Sequence, residues 1–168
     1  MDIEKIRNYQ IFSIIFTFIL GTLLHFTYKW SGENPFVGIF SAVNESTWEH
    51  LKLLFFPMLI TTIIGYFCLG KSIPDFLCVK TIGILVAIAF TVVFFYTYTG
   101  VLGGNIAIID ISSFFIAAIL GELVAYMLIV NSFKCNKLIA TIALILLFLC
   151  FTVFTFNPPS IGLFISPV

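Results

Sequence analysis

Charge is what this sequence has least of. Only 10% of its 168 residues are Asp, Glu, Lys or Arg, whereas soluble globular chains carry about 25%. The eight basic and eight acidic residues cancel, which leaves no basic patch for nucleic acid and no acidic tail for a charged partner. Cysteine is sparse and scattered. Cys68, Cys78, Cys135 and Cys150 show none of the C-x-x-C spacing of a zinc site or redox pair, and they are expected to be reduced, small hydrophobic side chains. No internal repeat suggests an inverted-repeat transporter. The turn Gly103-Gly104-Asn105 matches no phosphate-binding loop, so no organic cofactor is indicated. No A-x-A-like cleavage site follows the first apolar run, which is too long for a signal-peptide core and is expected to be a retained helix.

What is abundant is apolar surface. Hydrophobic residues make up 61% of the chain and the mean hydropathy is +1.16. A water-soluble chain of this size cannot hide so much, because small domains leave a large share of their surface exposed. The bilayer is the solvent that removes the conflict. The chain is therefore expected to be one integral membrane domain over residues 1–168, an all-α polytopic bundle of about five transmembrane helices with the lipid bilayer as its first partner.

The apolar runs put these spans at about 9–28, 47–69, 81–98, 106–130 and 138–156, near the ~20 residues that cross the hydrocarbon. Ser46-Thr47-Trp48-Glu49 fits the capping box that opens a helix. Pro57 should kink the second span, and Asn157-Pro158-Pro159 ends the fifth. Between the first two spans, Phe36 to Phe40 is apolar but too short to cross, and is expected to be interfacial or re-entrant. The tail from Ser160 is expected to lie along the membrane surface.

Basic residues give the orientation. With the N-terminus in the cytoplasm and the C-terminus outside, the inner segments hold Lys5, Arg7, Lys71, Lys80, Lys134 and Lys137, and the outer ones Lys29 and Lys52. Trp30 and Trp48 read as outer interfacial anchors. This orientation puts Cys68, Cys78 and Cys135 on the reducing side of a cell membrane, consistent with no disulfides there.

Ionisable groups inside spans are costly, so each is a functional candidate. The orientation sorts them by depth. His25 ends the first span near the outer boundary, Glu45, Glu49, His50 and Lys52 open the second there, and Asp110 lies about 6 Å into the fourth. His25, Glu45, Glu49, His50 and Asp110 are thus candidates for one outer site, with His25, Glu49, His50 and Asp110 as candidate ligands of a divalent metal. Each also has a structural alternative: a carbonyl-bonded His25, a helix cap at Glu49, a solvated helix start for Glu45, His50 and Lys52, and dipole stabilisation by Asp110. Glu122 is about 18 Å deeper than Asp110. It borders a face of small residues (Ala117, Ala118, Gly121, Ala125) and is a candidate intramembrane relay.

The stretch His25-Phe26-Thr27-Tyr28-Lys29-Trp30-Ser31, followed by Phe40-Ser41-Ala42-Val43-Asn44-Glu45-Ser46-Thr47-Trp48-Glu49-His50-Leu51-Lys52, resembles the hallmark of a family of uncharacterised small multispan bacterial membrane proteins. The resemblance implies a multispan protein of this size and no particular activity. Membrane metal-hydrolases of the alkaline ceramidase and adiponectin-receptor type use seven helices, three histidines, a serine and an aspartate. This chain has only His25 and His50, so that likeness stops at the metal site.

The sequence leaves three functions open: an ion- or proton-coupled carrier or channel, a membrane-embedded enzyme, with or without a metal, acting on a lipid-type substrate at the outer leaflet, and a non-catalytic accessory or assembly protein. A five-span carrier would need to dimerise, and an accessory protein would have another membrane protein as its partner.

Overall fold

The computed structural model describes residues 3–70, 73 and 75–166. Among these residues the fold is all-helical: α1 (Ile3–Trp30), α2 (Pro35–Gly38), α3 (Thr47–Cys68), α4 (Phe76–Leu102), α5 (Ala107–Val130), α6 (Lys137–Phe156) and a single 3-10 turn at Gly162–Phe164. Five of them, α1 and α3 to α6, are long and apolar enough to cross a membrane. The polytopic helix bundle expected from the apolar runs is what forms, with α1 and α4 longer at both ends than those runs suggest.

The reason is visible in how the helices are dressed. On α1 the buried residues are Ile6, Gln10, Ser13, Thr17 and Gly21, while Ile11, Phe12, Ile15, Ile19, Leu23 and Phe26 are exposed. This reverses the rule for a helix in water. It suits a helix whose outer face meets lipid and whose inner face packs closely through small and polar side chains.

Helix α4 lies along α5, α1 packs on α3 and α5, and α6 joins the bundle through α4 and less extensively α3. Helices α4 and α5 approach closely where Gly83 meets Gly121. A Cβ on either glycine would stand 2.5 or 2.6 Å from the other's carbonyl oxygen, so only glycine lets these two backbones touch.

Pro57 does not end α3. Having no N–H, it leaves the carbonyl of Leu53 without its helical partner. That oxygen faces α1, only 2.5 Å from where a Cβ on Gly21 would be. A buried aromatic core of Phe55, Phe56 and Phe151 fills the bundle beside Leu54, Met58 and Ile84. Trp48, expected as an interfacial anchor, is half-buried against Phe151 at 4.6 Å and Phe164 at 4.9 Å. That contact folds the C-terminal tail onto the start of α3.

Several sequence expectations are corrected here. Lys80 is not in a cytoplasmic segment: α4 starts at Phe76, earlier than its apolar run, which puts Lys80 on the second turn at 1% exposure. Lys52 is not part of a solvated helix start but is fully buried. Cys78 and Cys135 are not reduced; they form a disulfide with Cα atoms 6.2 Å apart, because the α5–α6 loop folds back over the first turn of α4. Cys68 and Cys150 are free. Lys71 lies outside the described residues.

Candidate metal centre

The end of the bundle where α1 finishes and α3 begins is held by a loop without regular structure after α2. Ser41 is its main anchor. Its hydroxyl is completely buried, accepts from the Tyr28 amide at 2.9 Å and donates to the Leu24 carbonyl. Those two groups share one rung of the α1 ladder, so the loop is stitched into α1 beside His25.

A buried ion pair completes the clamp. Lys52 Nζ donates to Glu49 Oε2 at 2.7 Å, to the Gly38 carbonyl at 2.7 Å and to Thr155 Oγ1 at 2.9 Å. All three ammonium donors are therefore used. Glu49 in turn accepts from the Val43 amide at 2.9 Å and from Thr155 at 3.0 Å. One pair thus ties α3 to α2, the loop and α6.

The expected capping box forms by half. Ser46 Oγ accepts from the Glu49 amide at 3.4 Å. The Glu49 side chain does not reach back to the Ser46 amide, which instead donates to Asn44 Oδ1 at 2.8 Å.

On this platform His25, Glu45 and His50 converge. Each offers a donor atom, and the three atoms all lie within 4.8 Å of one another. Glu45 Oε2 is 3.4 Å from His50 Nε2 and 3.9 Å from His25 Nε2, and the two imidazole rings are 5.2 Å apart. The site is half open, with 28%, 36% and 55% of the His25, His50 and Glu45 side chains exposed.

The protons decide what this arrangement wants. His50 Nδ1 lies 2.9 Å from the Ser46 carbonyl oxygen, which can only accept. Nδ1 therefore donates to it, which leaves Nε2 facing the Glu45 carboxylate. A positive charge at Nε2 satisfies this arrangement, whether a proton that makes the pair a salt bridge or a metal ion held between nitrogen and oxygen. A metal-binding histidine shows the same pattern, its second nitrogen held by a backbone carbonyl. Donors around a tetrahedral zinc stand about 3.3 Å apart, so closing the triad needs side-chain shifts of an ångström or so.

The other candidates go elsewhere. Glu49 is consumed by Lys52. Asp110 accepts from Tyr98 Oη and from Asn105 Nδ2 at 3.2 Å, where it braces the α4–α5 turn. Glu122 is fully buried deeper in the bundle. One oxygen accepts from Ser13 Oγ at 2.8 Å and the other pairs with Lys80 Nζ. Lys80 also reaches Gln10 Oε1 at 3.2 Å.

Ser41 and the two ion pairs were missed at the sequence level. The only trace of the Glu49–Lys52 pair was its i,i+3 spacing, which ordinarily marks an exposed pair.

A model of a protein family, described as a family of unknown function (DUF6512), matches residues 1–168. No curated protein and no solved structure matches the chain.

Proposed function

The chain belongs to that family of unknown function, and from this premise we propose that it is a multi-pass membrane enzyme that holds a divalent transition metal between His25, Glu45 and His50 and acts on a lipid-type substrate. The observation that carries the reading is the facing of Glu45 Oε2 and His50 Nε2 at 3.4 Å, with His25 in reach of the same space. Two imidazoles and a carboxylate suit zinc or another borderline metal better than calcium or magnesium. Three protein ligands leave a position for water, whose pKa such an ion lowers toward neutrality.

The carrier reading asks Glu122 to pass an ion or proton, yet both of its oxygens are engaged by Ser13 and Lys80. No observation favours the accessory reading.

Metal analysis tests the proposal. Protein purified in mild detergent and dialysed against zinc should retain about one ion per chain, and a chelator should lower its thermal midpoint. Protein that retains no zinc, and whose midpoint a chelator leaves unchanged, rules the reading out.

The orientation belongs to the same proposal. Without the buried Lys52 and Lys80, Lys5, Arg7, Lys134 and Lys137 stand at one end against Lys29 at the other, which supports a cytoplasmic N-terminus in the cell membrane. The Cys78–Cys135 disulfide counts against it, being at the end assigned to the reducing side. Cys68, exposed and free at that end, separates the alternatives. In intact cells a membrane-impermeant maleimide should leave Cys68 unmodified and label a cysteine placed at Asn105. The opposite pattern reverses the orientation.

A further inference from the structure

The surface around the triad carries a second set of features that the metal reading does not use. Lys29 follows His25 by four residues, so it stands one turn further along the same face of α1, and it is exposed. Beside it, Ile19, Leu23, Phe26 and Trp30 are exposed at 60%, 43%, 44% and 69%. Their spacing of four, three and four residues makes one continuous apolar stripe along the helix. The stripe touches the site directly: the Phe26 ring is edge-on to His25 at 4.9 Å and stacks on Trp30 at 5.7 Å. A tryptophan exposed at the end of a span marks the level of the lipid headgroups, so the triad and Lys29 stand at that level and the stripe descends from them into the hydrocarbon.

We infer that the His25–Glu45–His50 centre takes a phosphate-bearing amphiphile, with the phosphate held by the bound ion and the Lys29 ammonium and the acyl chain laid along the Ile19–Leu23–Phe26–Trp30 stripe. The inference rests on the metal reading above and adds the ligand class to it.

Electrostatics make the ion a condition of binding. In its absence Glu33, exposed in the turn after α1, and Glu45 outweigh Lys29 around the triad, and a phosphate is repelled there. With the ion in place, its two charges and Lys29 outweigh the two acids, and the sign of the local field reverses. Lys29 acts as a point charge with three donors, which is how an ammonium contacts a phosphate at an exposed site. The apolar stripe supplies what a soluble phosphate has no use for, a track for hydrocarbon beginning beside the ion.

The test uses the full-length protein in detergent, loaded with zinc and freed of excess ion, with three probes: dihexanoyl phosphatidic acid, dihexanoyl phosphatidylcholine and inorganic phosphate. Calorimetry should show the phosphatidic acid binding to zinc-loaded protein and not to chelator-treated protein, and at least tenfold more tightly than either other probe. Lys29→Gln should weaken that binding about tenfold, the worth of one charge-assisted contact, with the zinc content unchanged.

If zinc is retained but phosphatidic acid binds no better than phosphatidylcholine, the phosphate assignment is overturned and the metal reading stands. If inorganic phosphate binds as tightly as phosphatidic acid, the amphiphile part is overturned. Failure to retain zinc is a different result, since it removes the metal reading first.

Discussion

Replacing Glu122 by alanine is expected to cost about 3–5 kcal/mol of bundle stability, because it leaves a buried charge without its counter-ion. The Lys80 side chain has no exposure and sits among α1, α4 and α5. Its remaining partners, Gln10 Oε1 at 3.2 Å and Ser13 Oγ at 3.4 Å, are neutral. They cannot balance an ammonium ion in a site that water does not reach, so the lysine would have to lose its proton or open the packing around it.

The double replacement Lys80→Met/Glu122→Leu should behave differently, recovering most of the loss, since it removes both charges and fills similar volume. Denaturant titration of the detergent-solubilised protein, read by near-ultraviolet circular dichroism, measures both variants. A single variant as stable as the parent would mean that the pair contributes nothing. A double variant worse than the single would show that the pair does more than neutralise itself.

This ion pair also marks where the sequence stops being legible. The membrane bundle could be read from composition and apolar run length, because a bilayer demands about 20 apolar residues per span and leaves little choice of structure. Depth in the bilayer brings His25, Glu45 and His50 to one end for the same reason. It also assigns Glu49 and Asp110 to that site, and there it lacks the means to choose. Depth is a single coordinate, and rotation about each helix decides which side chains meet. Glu49 turns toward Lys52 and Thr155, and Asp110 toward Tyr98.

Lys80 was misplaced because a lone lysine at the edge of an apolar run is usually a loop residue, and its partner Glu122 is 42 residues away. The Cys78–Cys135 disulfide, with a separation of 57 residues and no spacing signature, left no trace in the sequence at all. The buried face of α1 was legible in principle. Gln10, Ser13, Thr17 and Gly21 recur at helical spacing, and such a polar or small stripe on a membrane helix points inward.

The second large effect concerns the metal. The double variant His25→Ala/His50→Ala is expected to lose zinc entirely, since a single carboxylate cannot hold such an ion against a chelating buffer. Each single variant should weaken zinc binding by at least tenfold, and Glu45→Gln should do the same, because an amide cannot supply the negative charge.

Fold should survive in all of them. The three side chains are between about a quarter and half exposed, and the loop that carries Glu45 is fastened by Ser41, Glu49 and Lys52 rather than by the triad. Glu49→Gln is the informative contrast. It weakens the clamp on Lys52 and should lower stability, and it touches the metal only through the position of the loop. Zinc content, measured on protein whose helicity is unchanged, reports these effects. A double histidine variant that kept its zinc would place the ion elsewhere.

The central claim is that His25, Glu45 and His50 form one metal centre. X-ray absorption at the zinc edge on the zinc-loaded, full-length protein tests it most directly. The account predicts a first shell of nitrogen and oxygen only, at about 2.0–2.1 Å, with the outer-shell scattering of two imidazoles and no sulfur. A shell containing thiolate sulfur at about 2.3 Å, or zinc without imidazole scattering, would contradict it.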